Sequence, residues 1–376
     1  MVRRLGLSIA CIALCVSAGR AQSNVSVFAT GLNNPRGLKF GPDGYLYVAE
    51  GGAGGSESTV GQCVQVPEVG PYTGGLTARI SRIGAHGVRT TVVDNLPSSQ
   101  TSAASGSLTS GVADVAFIDH ELYAVIAGAG CSHGLAGTDN AVIRVHRDGT
   151  WTEVANLSAY QALNPVSHPD PEDYEPDGTW YSMIAVDDAL FAVEPNHQEL
   201  DKITRDGRIK RIVDLSKMFP PNVGYGWYGP TAIASHGDDF YVGNLHTFPI
   251  VDGSSMILRI TKSGKVETVV TGLTTVLGLA FDRRHRLYVL ENTTGNPFPT
   301  PGTGKVLRID RNGDVKEVAT GLFLPTAMTF GPDGNLYVSN VGFGPPPIGL
   351  GQIVKITIPD NRRDDDHDHD RDGRWE

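Results

Sequence analysis

Residues 321–340 read GLFLPTAMTFGPDGNLYVSN, and residues 31–50 read GLNNPRGLKFGPDGYLYVAE. Eleven of the twenty positions are identical across an offset of 290 residues, so the chain repeats itself from near one end to near the other. A repeat constrains the fold more than any local propensity does. Each copy is one supersecondary unit that can bury its apolar face only against its neighbours. Within the unit, TAMTF and NLYVS are short runs of β-formers joined by Gly331-Pro332-Asp333-Gly334. Pro presets φ for a tight turn and Gly supplies the positive φ that closes it, so the unit reads strand, turn, strand.

The second strand of the unit recurs six times: Leu46-Tyr47-Val48, Leu122-Tyr123-Ala124, Leu190-Phe191-Ala192, Phe240-Tyr241-Val242, Leu287-Tyr288-Val289 and Leu336-Tyr337-Val338. A third strand carries an apolar–basic–apolar triplet around Arg82, Arg144, Lys202, Arg259, Arg308 and Lys355. Five of these run into a turn ending in Gly and then a fourth strand. The sixth unit lacks its fourth strand, but VSVFATGL at 25–32 matches VKEVATGL at 315–322. The N-terminal strand is therefore expected to complete the last unit and close the ring. Four-stranded antiparallel units repeated radially predict an all-β, six-bladed β-propeller. The closure also hides the edge that an open sheet would expose.

The two ends lie outside this ring. Met1 to about Ala21 reads as a secretory signal: Arg3 and Arg4 are basic, an apolar run follows, and small residues Gly19 and Ala21 precede a cut before Gln22. An uncleaved anchor is the other reading. The expected organisation is a signal peptide at 1–21, a propeller at 22–359 and an acidic tail at 360–376. That tail, DNRRDDDHDHDRDGRWE, is too polar to bury a core and should be disordered. Its DHDRDG imitates the start of an EF-hand loop but stops before the twelfth-position Glu. No other stretch is long and apolar enough to cross a bilayer. Net charge is −10 with no basic cluster, which argues against nucleic acid as a partner. The expected product is a secreted or periplasmic monomer.

Two cysteines remain in the mature chain, Cys63 and Cys131. In an oxidising compartment an even pair favours a disulfide, although two separate buried thiols would satisfy the same count. Both fall in connections from second to third strand, in neighbouring blades.

Call the face where the innermost strands begin the top. The bottom connections are all short: GPDG, IDH, VDD, HGDD, DRRH and GPDG, besides the Gly-ended turns. The long segments 51–75, 96–110, 128–140, 160–179, 216–229, 245–254, 292–304 and 341–351 all belong to the top, where a binding site is expected. The second strands end on this face with Glu50, Ile126, Glu194, Asn244, Glu291 and Asn340. Glu50, Glu194, Asn244, Glu291 and Asn340 supply the hard oxygens that Ca²⁺ prefers, unless a water-filled channel mouth simply satisfies them. His197 and His246 titrate near neutrality and are the candidates for a general base. Tyr225, Trp227, Tyr228, Phe248 and Phe298 put aromatic surface on top loops, either to line a pocket for a small molecule or to pack the loops together.

EPNHQEL at 194–200, GPTAIA at 229–234, YVGNLHTFPI at 241–250, TGLTTVLGLAFD at 271–282, LYVLENTTG at 287–295 and PTPGTGKVLRI at 299–309 resemble the bacterial ScyD/ScyE family. That family consists of secreted propeller proteins named from scytonemin pigment gene clusters. The resemblance covers the chain to about Pro359 and implies export and an NHL-like propeller rather than a particular reaction. A looser likeness is to six-bladed gluconolactonase and paraoxonase-type hydrolases, which hold a divalent cation with Glu, Asn and Asp. Two functions stand side by side: a binding propeller whose top face takes a small molecule or protein, and a metal-dependent hydrolase or lactonase.

Overall fold

The computed structural model describes residues 24–359 except 170, 172–173, 220–227, 247–248, 296–298, 311 and 343–348. Six antiparallel sheets form the blades. Blade 1 comprises Pro35–Phe40, Leu46–Glu50, Thr73–Ile83 and Arg89–Gln100, and blade 2 Val112–Ile118, Glu121–Ile126, Ala141–Val145 and Trp151–Asn156. Blade 3 is Ser182–Val186, Ala189–Glu194, Glu199–Thr204 and Ile209–Asp214, and blade 4 Gly229–His236, Asp239–Leu245, Ser255–Thr261 and Val266–Leu273. Blade 5 is Val276–Phe281, Leu287–Glu291, Gly304–Ile309 and Val315–Leu322. Blade 6 takes Ala327–Phe330, Leu336–Asn340 and Gly351–Ile356 from the C-terminal end and Val25–Leu32 from the N-terminal end.

The expected clasp is present. Val25–Leu32 pairs antiparallel with Gly351–Ile356, running from Val25 opposite Ile356 to Leu32 opposite Gly351. The inner strands meet their neighbours all the way round, and blade 6 is sewn to blade 1. Thr326 Oγ1 donates to Pro35 O and Ser339 Oγ to Arg36 O, each at 2.6 Å and buried. The molecule is a six-bladed β-propeller.

Apolar side chains alternate along each strand, so each blade presents one apolar face to the blade before it and one to the blade after. The core is accordingly six clusters, each spanning one seam. Ala49, Ile80 and Val93 of blade 1, for example, pack with Val115, Leu122 and Ile143 of blade 2. Each such fully buried aliphatic contributes about 1.5–3 kcal/mol.

One aromatic contact recurs at four seams. The second-strand Tyr of one blade meets a Phe at or next to the end of the inner strand of the next: Tyr47 with Phe117, Tyr241 with Phe281, Tyr288 with Phe330, and Tyr337 with Phe40. Centroids lie 5.0, 5.0, 5.1 and 5.0 Å apart, all edge-to-face. Two of these tyrosines also hold the GPDG turns, Tyr47 OH donating to Asp43 at 2.8 Å and Tyr337 OH to Asp333 at 3.0 Å. Gly44 and Gly334 sit in those turns at φ of 79° and 76°, where a side chain would be strained.

The top of blade 1 departs from the expected loop pattern. Its third and fourth strands run on for 11 and 12 residues, so part of the segment expected as a loop at 96–110 is sheet. A fifth strand, Thr109–Ser110, pairs with the end of Arg89–Gln100. Between blades 2 and 3 the connection opens with an α-helix, Leu157–Leu163, capped by Asn156 Oδ1 accepting from Ala159 N at 2.8 Å.

Candidate functional site

The residues ending the second strands carry one structural job repeated. Glu50 accepts from Asn33 N at 2.6 Å, Glu194 from Thr179 N at 2.7 Å, Glu291 from Thr274 N at 2.7 Å and Asn340 from Phe323 N at 2.8 Å. Each donor lies 15–17 residues earlier, on the segment that leads into the inner strand of the same blade. Those N–H groups turn into the protein where no strand partner reaches them, and a side-chain oxygen satisfies them. Asn244 faces the other way and accepts from Met256 N of the third strand at 2.7 Å. Ile126 offers no acceptor, and Ala127 N donates to Gly111 O at 2.8 Å, the counterpart of Gly51 N to Asn34 O and Asn292 N to Thr275 O in blades 1 and 5.

The carboxylates are further consumed inside their own blades. Glu50 is ion-paired to Arg79 at 2.7 Å and accepts from Ser81 Oγ, and Glu291 lies 3.3 Å from Lys305 Nζ. Burial raises the pKa of Glu291, with the Thr274 N–H and Lys305 opposing. Among the described residues no three His, Cys, Asp or Glu side chains come together as a cation would need. A divalent ion does not fit this set as it stands, because it would have to displace Arg79, Lys305 and the backbone donors.

Glu194 leads into a buried polar turn that holds Asn196, His197 and Gln198. His197 N donates to its carboxylate at 2.5 Å and His197 Nδ1 lies 3.2 Å from it, with Tyr174 edge-on to the imidazole. Two residues on, Glu199 and Asp201 are side by side on the third strand with no exposed surface. Arg211 pairs with Glu199, and Trp180 Nε1 donates to Asp201 at 3.2 Å. Burial pushes Asp201 up to about 7, the charge of Glu194 pushes the same way, and Arg211 opposes. Burial and the neighbouring Asp201 hold Glu199 well above the usual carboxylate range.

His246 is in another blade, its Nε2 2.6 Å from Ser254 O, and burial lowers its pKa so that it is neutral at pH 7. The two candidate histidines are thus separately committed. Tyr228 is buried, stacks on Phe219 at 5.1 Å, donates its hydroxyl to Val242 O at 2.6 Å, and is anchored through its N–H to Gln198. Tyr225, Trp227, Phe248 and Phe298 lie outside the described residues.

The disulfide is formed, Cys63 to Cys131, with Cα atoms 6.3 Å apart. It staples the long top loops of blades 1 and 2 and seats a group that no sequence signal marks. His133 Nδ1 and Ser99 Oγ are 2.8 Å apart, His133 Nε2 lies 3.1 Å from Glu175, and Tyr72 OH donates to Glu175 at 2.8 Å. Tyr72 also packs on the imidazole at 4.8 Å. Ser132 N and Oγ both donate to Asp177, at 2.7 and 2.6 Å. Ser, His and Glu in a line have the make-up of a charge relay. Here all three are buried, so the line works as a polar tie between blade 1, blade 2 and the approach to blade 3, hydrogen-bonded from Ser99 to His133 and from Tyr72 to Glu175.

The central channel is polar on one side. Arg36 donates to Thr109 O and to Tyr181 OH, its guanidinium 5.7 Å from the Tyr181 ring. Below it, Asp114 accepts from Ser182 Oγ at 3.1 Å and Met183 N at 2.8 Å, tying blade 2 to blade 3. Burial raises Asp114, while Lys39 pulls it down. Two cavities open on the bottom face, the side the sequence pattern left plain. One, of about 640 Å³, lies between blades 1 and 2 beside Tyr47, Arg82, His120 and Arg147. The other, of about 380 Å³, is the bottom mouth of the channel.

No protein-family model matches the chain, and no curated protein does. Solved structures do. A gluconolactonase from Xanthomonas campestris superposes with a TM-score of 0.51 at 12% identity over 89% of each chain. A glucose dehydrogenase gives 0.53 at 13% over 89% of this chain and 99% of its own. Regucalcin, a calcium-binding protein from Agrobacterium tumefaciens, gives 0.51 at 14% over 88% and 92%. At such identities the likeness is one of fold: this chain is built like those propellers.

Proposed function

We propose that this chain is an exported propeller that works by binding, and that its top face takes the ligand or partner. The observation that carries this reading is the asymmetry of elaboration. The described bottom connections are tight turns, whereas the top holds the extended strands of blade 1, the disulfide and the buried Ser99–His133–Glu175 tie. A platform fixed by a covalent staple and a buried polar network is pre-organised for recognition. The bound disulfide suits an oxidising compartment, and no helix among the described residues is long and apolar enough to cross a membrane. On this reading residues 1–21 direct export and are removed, the propeller follows, and 360–376 form a separate acidic tail. The resemblance to the ScyD/ScyE family supports the same compartment.

The competing reading is a metal-dependent lactonase of the gluconolactonase type, which the shared fold allows. Lactones and aryl esters are the substrates to screen, with Glu50→Gln and Glu291→Gln as controls. The expected result is no turnover by any form. Turnover lost in both variants would replace the binding reading with the hydrolase. Edman sequencing of the exported protein should begin at Gln22, and an N-terminus at Met1 would overturn the export assignment.

A further inference from the structure

The bottom mouth of the channel is a built pocket. Its walls are the last residues of the six inner strands, and they include the four phenylalanines of the recurrent seams. Opposite the anchor aromatic of each second strand, the inner strands carry Lys39, Ala116, Ile184, Ala234, Ala280 and Thr329 in blades 1 to 6. Blade 1 breaks the pattern. Where the other blades have a small or aliphatic residue, it puts a primary ammonium, the single charged group lining the cavity.

Lys39 makes no hydrogen bond or ion pair among the described residues, and the acid that acts on it, Asp114, already accepts from Ser182 and Met183. A cavity of about 380 Å³ falls in the range of small-molecule sites, which are mostly apolar with one or a few oriented polar groups. An ammonium that feels the Asp114 charge but makes no hydrogen bond or ion pair among the described residues can take an anion carried on an apolar ring.

We infer that the bottom mouth binds an aryl monocarboxylate, its ring against the seam phenylalanines and its carboxylate on Lys39 Nζ. This site is at the opposite end of the channel from the top face, so it stands whether or not that face binds a partner. The probe is 1-naphthoate, titrated calorimetrically into the full-length exported protein, with 1-naphthylmethanol as the neutral analogue. Lys39→Met keeps the length of the side chain and removes the charge. It should weaken 1-naphthoate at least about tenfold, leave the alcohol unchanged and leave the melting temperature intact. Lys39→Arg should retain carboxylate binding and guards against a packing artefact. Failure of 1-naphthoate to bind at millimolar concentration, or equal binding by Lys39→Met, would overturn the assignment.

Discussion

Tyr337 of blade 6 meets Phe40 of blade 1 edge-to-face, ring centroids 5.0 Å apart, although the two residues are 297 positions apart in the sequence. Phe28 of the N-terminal strand packs on the other side of the same tyrosine at 5.0 Å. The ring therefore closes through an edge-to-face aromatic cluster as well as through strand pairing. Edge-to-face pairs are worth about 0.5–1.5 kcal/mol beyond the area they bury. Tyr337→Ala should cost about 3–5 kcal/mol by urea unfolding. A double-mutant cycle with Phe40→Ala should return a coupling of about 1 kcal/mol, and additive costs would show that the contact carries no specific energy.

The clasp predicts an asymmetry between the ends. A chain beginning at residue 33 loses Val25–Leu32 and leaves Gly351–Ile356 as a bare edge, which pairs with other chains. It should elute as aggregate in size-exclusion chromatography. A chain ending at Pro359 should elute as the parent does.

The disulfide closes 68 residues of sequence separation, and its loss by Cys63→Ala should cost about 2–4 kcal/mol. The effect should be local. Hydrogen exchange should accelerate at 57–74 and 131–138, the loops around His133, and not in blades 4 to 6. Uniform acceleration would mean that the staple holds the whole ring and not the top of blades 1 and 2.

Glu199 and Asp201 give a pH dependence of definite sign. Both carboxyls hold a proton in the folded protein at pH values where the unfolded chain has lost it, because burial beside Glu194 opposes their ionisation more than Arg211 favours it. The stability they add is complete below about pH 4 and is lost as pH rises toward 7. The melting temperature should therefore fall from pH 5 to 7.5, by about 2–4 °C per kcal/mol lost. Asp201→Asn should flatten that slope, and a slope unchanged in the variant would place its origin elsewhere.

The geometry at Glu50 and Glu291 predicts indifference to calcium. Both carboxylates are already held by backbone N–H groups and by Arg79 or Lys305. Adding Ca²⁺ or a chelator should leave the melting temperature unchanged. A rise with Ca²⁺ that vanishes in Glu50→Gln would restore a cation at this ring.

Much of the architecture is legible in the sequence. The six Leu-aromatic-Val strands, the Gly-ended turns and the match of 25–32 to 315–322 are local patterns, and each maps directly onto a strand or turn of the observed ring. The site was less legible. Strand alternation says that Glu50 lies on a particular face of its blade, but not that Arg79, from the next strand over, and Asn33, from the segment before the blade, will both reach it. Read from sequence, Glu50, Glu194 and Glu291 are either ligands for a cation or polar groups satisfied at a channel mouth; in the fold they are acceptors for their own backbone. The expectation of a plain bottom face met the same limit, since short turns say nothing about the channel that the inner strands enclose.

By itself, the sequence determined the period, the blade number, the closing strand and the face on which long loops gather. Those follow from hydrophobic alternation and turn chemistry, which act over a few residues. Tertiary structure alone decided the seam pairs such as Tyr337 with Phe40, the Ser99–His133–Glu175 line and the placement of Lys39 at a channel mouth that the seam phenylalanines also line. Each of these joins residues from different blades. Their distances are set by how six twisted sheets close around one axis, which no local stretch of the chain encodes.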